Sequence, residues 1–217
     1  MHAAPARLIV FDLDGTLVDS VPDLLASANR VMAARGLAPF VLDEVTPLVG
    51  DGAGVLVRRL LALRGQQAGP ADLQDFVRDY MGHVADATVP YPGVLQTLET
   101  LGAAGWRMAV CTNKPEAPAR AVLDALGLSR FFGTVAGGDT YPVRKPDPAH
   151  LLNTIRDAGG DPARAVMVGD HHNDLAAAAG ADVPSIFASW GYGSDTGATA
   201  VAAAFVDVPG IAQHLLP

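Results

Sequence analysis

Cysteine is almost missing from this 217-residue chain, in which Cys111 stands alone. No disulfide can form within the chain, which fits a reducing compartment and sets the expectation of a cytoplasmic location. Lysine is nearly as scarce: Lys114 and Lys145 are the only two, and arginine supplies the rest of the positive charge. The formal net charge is −8. That balance argues against a nucleic-acid surface, which needs clustered cations, and has the wrong sign for an anionic membrane. No uninterrupted apolar run is long enough to span a bilayer, and Ala200–Phe205 is far too short. The opening stretch carries Arg7 and an apolar run cut off at Asp12, which does not read as a signal peptide. Nothing in the sequence specifies an oligomeric state.

Apolar residues are plentiful, at 50% of the chain, so a substantial core is expected. Three short apolar runs share one design. Leu8–Phe11 ends at Asp12, Met108–Cys111 at Thr112, and Ala165–Val168 at Gly169-Asp170. Helical patterns follow each of them, at Pro22–Arg35, Pro115–Leu126 and Asn173–Ala179. This alternation predicts an α/β fold with a doubly wound, Rossmann-like parallel sheet. Ligands in such sheets bind beyond the carboxyl ends of the strands, so the three polar clusters should converge. Weaker strand signals lie at Gly133–Ala136, Ser185–Ala188 and Ala204–Val206.

Residues 17–88 read differently, as consecutive helices near 22–35, 43–49, 54–64 and 71–86. In the third, Leu56, Val57, Leu60, Leu61 and Leu63 form an apolar face. A small helical cap domain at 17–88 is therefore expected, inserted after the first strand of a core made of 1–16 and 89–217. Pro90-Tyr91-Pro92-Gly93 would lead the chain back.

The stretch Phe11-Asp12-Leu13-Asp14-Gly15-Thr16 is the most informative. Side chains at i and i+2 of an extended chain share a face, so Asp12 and Asp14 project together while Leu13 turns inward. Two carboxylates held this close repel unless a cation or a shared proton relieves them. An EF-hand reading fails because Leu17 stands where glycine is required and a strand precedes the loop. Gly50-Asp51-Gly52-Ala53-Gly54 is no dinucleotide fingerprint, lacking a preceding strand and the third glycine's spacing.

Phe11–Thr16, Cys111-Thr112-Asn113-Lys114-Pro115, Arg144–Pro148 and Val168–Asp174 together resemble the four ordered motifs of the haloacid dehalogenase superfamily. The details around them, including Gly137–Thr140 and Gly191-Tyr192-Gly193, are similar to the phosphoglycolate phosphatases. The resemblance implies an Mg2+-dependent phosphomonoester hydrolase acting on a small phosphorylated metabolite, here 2-phosphoglycolate, through an aspartyl-phosphate. Asp14 counts against a dehalogenase, and the absence of lysine from 17–89 counts against a phosphonatase. A sugar-phosphate phosphatase or a β-phosphoglucomutase-like phosphotransferase would carry the same motifs. A non-catalytic phosphate-binding protein would not need the intact acidic and basic set.

The residue types suit that chemistry. Asp12 can serve as nucleophile, and Asp14 can protonate the leaving oxygen and then activate water. Thr112 offers a hydrogen bond to the phosphoryl group and Lys145 a compact positive charge. Asp12, a backbone carbonyl of Asp14, and Asp170 would make a hard-oxygen Mg2+ site, with Asp174 holding a water or orienting the ligands. Thr16 and Asn113 are expected to bind substrate, as is one of Arg58 and Arg59, which could take a substrate carboxylate bidentately. Adjacent His171 and His172 should diverge on a helix and make poor metal co-ligands. Cys111 reads as a small core residue.

Overall fold

A computed structural model of the chain describes residues 6–216. In chain order the first half contains β1 (Leu8–Phe11), β2 (Val18–Asp19), α1 (Val21–Ala34), α2 (Leu42–Val45), α3 (Ala53–Leu63), α4 (Pro70–Met81), β3 (Val89–Pro90) and α5 (Val94–Ala103). The second half contains β4 (Arg107–Cys111), α6 (Glu116–Ala125), β5 (Thr134–Ala136), α7 (Pro148–Asp157), β6 (Ala165–Gly169), α8 (His172–Gly180), β7 (Ser185–Ala188), β8 (Ala200–Ala202) and α9 (Val208–Leu215).

Six strands form a parallel sheet in the order β5-β4-β1-β6-β7-β8. β1 is central and fully buried, as its unbroken apolar run requires. Its side chains alternate between two cores. Ile9 and Phe11 join the cluster containing Leu98, Leu101 and Ala212 of α5 and α9. Leu8 and Val10 join Leu151, Ile155, Ala177 and Ala178 of α7 and α8. Each buried Leu, Ile or Phe contributes about 1.5–3 kcal/mol. The β1 register sets Phe11 opposite Val110 and Val168. The carboxyl ends of β1, β4 and β6 are therefore level, which lines up the segments that follow them.

The four helices α1–α4 lie between β1 and β4 as a cap. A two-stranded antiparallel ribbon gathers the chain where it leaves and returns, with Val18 opposite Pro90 and Asp19 opposite Val89. Asp23 at the start of α1 locks the return: its carboxylate accepts from the Thr88 amide at 2.7 Å, the Thr88 hydroxyl at 2.6 Å and the Ala87 amide at 3.0 Å. Arg30 of α1 pairs with Asp79 of α4. Among the described residues no helix is long and apolar enough to cross a membrane.

Several expectations need correction. Ala204–Val206 is not a strand. Phe205–Asp207 is a 3-10 turn leading into α9, because the Asp207 carboxylate accepts from the Ala204 amide and winds the backbone. Phe205 is buried and stacks on Phe11 at 5.7 Å between ring centroids. The edge strand lies earlier, at β8. The helix expected over 43–49 is split into α2 and a 3-10 turn at Thr46–Leu48, where Pro47 lacks the amide a continuing helix needs. The helix expected to reach 86 stops at Met81, before Gly82. Leu63 leaves the apolar face of α3 and is 53% exposed, whereas Leu56, Val57, Leu60 and Leu61 are buried. α5, α7 and α9 are helices beyond those expected from the sequence pattern.

Candidate active site

Asp12 follows β1, and its Oδ1 accepts from the Leu13 amide at 2.7 Å. Asp14 lies past the strand end, where the chain turns tightly through Gly15. There φ is +83°, and a Cβ would lie 2.3 Å from Asp170 Oδ2. Only glycine tolerates both the conformation and that approach. The bare turn lets Asp170, which follows β6, pack directly against the loop after β1.

Asp12, Asp170 and Asp174 are all buried, and one oxygen of each lies within 4.8 Å of the others. Thr16 donates its hydroxyl to Asp170 Oδ1 at 2.8 Å, and the Tyr192 amide donates to Oδ2 at 2.8 Å. Burial, then the nearby Asp12 charge, push the Asp170 carboxyl up to about 7. Asp174 is raised by the same two causes in the same order. Carboxylates this crowded gain from a cation. An all-oxygen, hard donor set of this kind suits Mg2+. Asp14 is not part of the cluster. Its carboxylate turns toward Ser20 Oγ at 2.5 Å and Lys114 Nζ at 3.1 Å, which leaves its backbone carbonyl as the group expected for a metal.

Lys145 is buried, with Nζ 2.5 Å from Asp174 Oδ1, 3.1 Å from Asp12 Oδ1 and 2.5 Å from the Cys111 carbonyl. Burial works against its charge, but Asp12 and Asp174 more than offset it, so its pKa is raised. His150 supports the lysine loop. Its Nδ1 accepts from the Lys145 amide at 3.3 Å, and its Nε2 lies 3.0 Å from the Gly137 carbonyl. Those partners fit a neutral ring protonated on Nε2. Burial, then Lys145, depress its pKa to about 4. Cys111 is fully buried, and burial pushes its thiol up to about 11.

Between cap and core lies a cavity of about 530 Å3 of empty space, counting its opening to solvent. Asp12, Asp14, Thr112, Asn113 and Lys114 line its core side. Thr112 Oγ1 accepts from the Lys114 amide at 3.2 Å. Asn113 donates Nδ2 to the carbonyls of Gly50 and Lys145, and its Oδ1 is buried without a partner.

Thr16 is expected at the substrate but is fully buried and holds Asp170 instead. Arg58 and Arg59 are not among the cavity-lining residues. α3 turns Leu56, Val57, Leu60 and Leu61 inward, which leaves both arginines exposed on the outside. Arg59 Nη1 pairs with Asp51 at 2.6 Å.

Three contributors were not assigned from sequence. Lys114 is buried against both Asp14 oxygens, at 3.1 and 3.2 Å, and sits 4.4 Å from the centroid of the Tyr80 ring. Its place in a motif loop of a lysine-poor chain was the available signal. Tyr80 comes from α4 and is marked by no local pattern, whereas Tyr192 lies in the Gly191-Tyr192-Gly193 loop, whose resemblance was the available signal. Tyr192 also donates its hydroxyl to Asp19 at 2.8 Å and accepts from the Ser20 amide at 2.9 Å. It thereby ties the ribbon to the site.

The family model for haloacid dehalogenase-like hydrolases matches residues 6–182. A phosphoglycolate phosphatase of Agrobacterium fabrum is 48% identical over 189 residues, covering 85% of this chain and 81% of that one. One from Caulobacter vibrioides is 41% identical over 217 residues, covering 96% and 92%. The crystal structure of a predicted phosphoglycolate phosphatase from Haemophilus somnus superposes with a TM-score of 0.88 at 31% identity, covering 95% of this chain and 97% of that one. With its acidic cluster, paired lysines and capped sheet in the arrangement described, the chain belongs to the haloacid dehalogenase-like hydrolase family and is a phosphatase.

Proposed function

We propose that this enzyme hydrolyses 2-phosphoglycolate through an aspartyl-phosphate on Asp12. The observation that carries the substrate assignment is the lining of the cavity. Its cap side is apolar, from Leu24, Val49, Leu56, Phe76 and Val77. Lys114 is the one cation among the described lining residues, and beside it the Tyr80 hydroxyl is buried without a partner. A small molecule with a phosphate at one end and a carboxylate at the other matches this layout. The phosphate would face Asp12 and Thr112, and the carboxylate would face Lys114 and Tyr80. A sugar phosphate would set its hydroxyls against aliphatic and aromatic side chains that offer no hydrogen bonds.

In the first step a carboxylate oxygen of Asp12 attacks phosphorus, and the bond from phosphorus to the leaving oxygen breaks. Asp14 gives its proton to that oxygen as glycolate departs. In the second step Asp14 takes a proton from water, whose oxygen attacks phosphorus. The bond to Asp12 breaks, phosphate leaves and the carboxylate is restored. Lys145 and the Thr112 hydroxyl face the phosphoryl oxygens throughout. Asp12 and Asp170, with the Asp14 carbonyl and with Asp174 orienting them, would hold Mg2+. When bound, the ion neutralises charge on the transferring group.

In this reading 17–88 is the cap and 1–16 with 89–217 the catalytic core. The cap covers the site and excludes water from the first step. The lone Cys111 and the net charge of −8 support a cytoplasmic enzyme acting on a small metabolite in preference to nucleic acid or an anionic membrane. The test is kcat/KM for 2-phosphoglycolate, ethyl phosphate and a panel of sugar phosphates, read as phosphate release. The expected outcome is a preference for 2-phosphoglycolate over ethyl phosphate of about 100-fold or more, the scale of one charge-assisted contact pair. Equal rates on the two would remove the carboxylate assignment. Conversion of a sugar phosphate without phosphate release would make the protein a mutase.

A further inference from the structure

We propose that Asp51, His171 and His172 form a site for a transition-metal dication of the Zn2+ class, bridging the cap and the core. It is separate from the cluster of Asp12, Asp170 and Asp174. One ligand atom of each of the three residues lies within 4.8 Å of the others.

The two histidines converge because only one of them is helical. His171 is the N-cap of α8, with an extended backbone at φ −118° and ψ 151°, and His172 is the first residue of the helix. The divergence expected for neighbours on a helix therefore does not apply. Their ring centroids are 4.2 Å apart with planes inclined by 45°. His171 Nδ1 is directed to the Asn173 amide at 3.4 Å, which leaves Nε2 as the free atom. That edge of the ring meets the cap at Gly50, where a Cβ would lie 2.7 Å from Cδ2 and 2.9 Å from Nε2. The missing side chain keeps the approach to Nε2 open.

Asp51 follows Gly50 in the same cap loop. Asn173 holds it, donating Nδ2 to Oδ1 at 2.7 Å. Such a hydrogen bond orients a carboxylate ligand without using all its lone pairs. Arg59 occupies Oδ2 at 2.6 Å, a cation already drawn to this spot. Its side chain is 44% exposed, so it can swing into solvent when another cation arrives.

Two imidazoles and a carboxylate select Zn2+, Co2+ or Ni2+ over Mg2+, which prefers the all-oxygen cluster. Tetrahedral Zn2+ spaces its ligands roughly 3.3–3.5 Å apart, so atoms within 4.8 Å of one another need close by no more than about 1.5 Å around the ion. His172 is exposed and free to make that movement. Asp51 belongs to the cap and both histidines to the core, so a bound ion ties one to the other.

The experiment is a titration of the intact protein with Co2+ in excess Mg2+, followed by the visible absorption of the bound ion, with Zn2+ as competitor. The expected result is one Co2+ site that Zn2+ displaces. His172→Ala changes an exposed residue and should weaken binding by about tenfold or more, the scale for loss of a group that holds a metal. Asp51→Asn should do the same. Arg59→Gln should tighten binding several-fold by removing the competing cation. No Co2+ binding in excess Mg2+, or binding unchanged in both His172→Ala and Asp51→Asn, would overturn the site. Weakening in His172→Ala alone would place the ion on the core and overturn the bridge.

Discussion

Lys145 Nζ lies 2.5 Å from Asp174 Oδ1 in a part of the protein that solvent does not reach. The same ammonium is 3.1 Å from Asp12. One lysine thus joins the residue after the central strand to the first turn of the helix after β6. It is the closest positive charge to a cluster that holds three carboxylates.

Replacing Lys145 with Met should therefore affect stability as well as activity. Losing one partner of a buried ion pair costs about 3–5 kcal/mol. The cost should approach the full value only at about pH 10 in metal-free buffer, above the raised Asp170 and Asp174 carboxyls. It should be smaller at pH 6, where Asp170 and Asp174, both raised, take up protons instead. Urea unfolding at the two pH values measures this. A cost independent of pH would mean that the carboxyls do not compensate.

Asp12→Asn removes the nucleophile with little change in shape. Turnover of any phosphomonoester should fall about 1,000-fold or more, while the circular dichroism spectrum stays that of the wild type. Appreciable retained phosphate release would exclude Asp12 from that role.

Mg2+ at about 100 times its dissociation constant should stabilise the folded protein by about 2.7 kcal/mol, a rise in Tm of roughly 5–10 °C for a chain of this size. Asp170→Asn should lose most of that rise. Differential scanning calorimetry with and without a chelator is the measurement. A rise retained in full by the variant would place the ion elsewhere.

His150 sets an acid limit. Its folded-state value of about 4 lies below the ordinary 6.5. A depressed value means that the folded state resists the proton, so stability is complete above pH 6.5 and falls as pH drops toward 4. The contribution of this one ring is roughly 3 kcal/mol. His150→Gln removes that titration. The stability difference between wild type and variant should therefore change by about that amount across pH 6.5 to 4, read from urea midpoints. Parallel curves would show that the ring is already protonated in the folded protein.

The fold was legible where one short signal carried it. The apolar runs ending in Asp12, Thr112 and Asp170 became β1, β4 and β6, because a buried parallel strand needs little beyond an unbroken apolar sequence. Ala204–Val206 was misread because an alanine–phenylalanine–valine run has no intrinsic preference strong enough to resist the Asp207 cap and the pull of Phe11 on Phe205. Leu63 was misread because an apolar periodicity does not say how wide the buried stripe is.

The same division runs through the site. Asp12, Asp14, Thr112, Lys145, Asp170 and Asp174 could be named from the sequence because each sits after a strand, in a motif loop or, for Asp174, in the first helical turn that follows one. Backbone geometry alone brings such positions to one edge of the sheet. Thr16 was assigned to the substrate, yet its hydroxyl belongs to Asp170. Arg58 and Arg59 were candidates for the substrate, yet α3 carries them outward. Which partner a side chain meets depends on how the loops after β1 and β6 pack together and on which face α3 buries, and both are set by long-range packing.

Residue type and local pattern suffice to locate a strand-end carboxylate pair, two lysines in loops, and a helical insert after the first strand. Packing alone settles that Lys114 and Tyr80 meet in the cavity, that Tyr192 holds Asp170, and that Asp51 reaches His171 and His172. The reason is range. Strand periodicity and residue type act over a few positions, whereas these contacts join residues more than 20 positions apart that only long-range packing brings together.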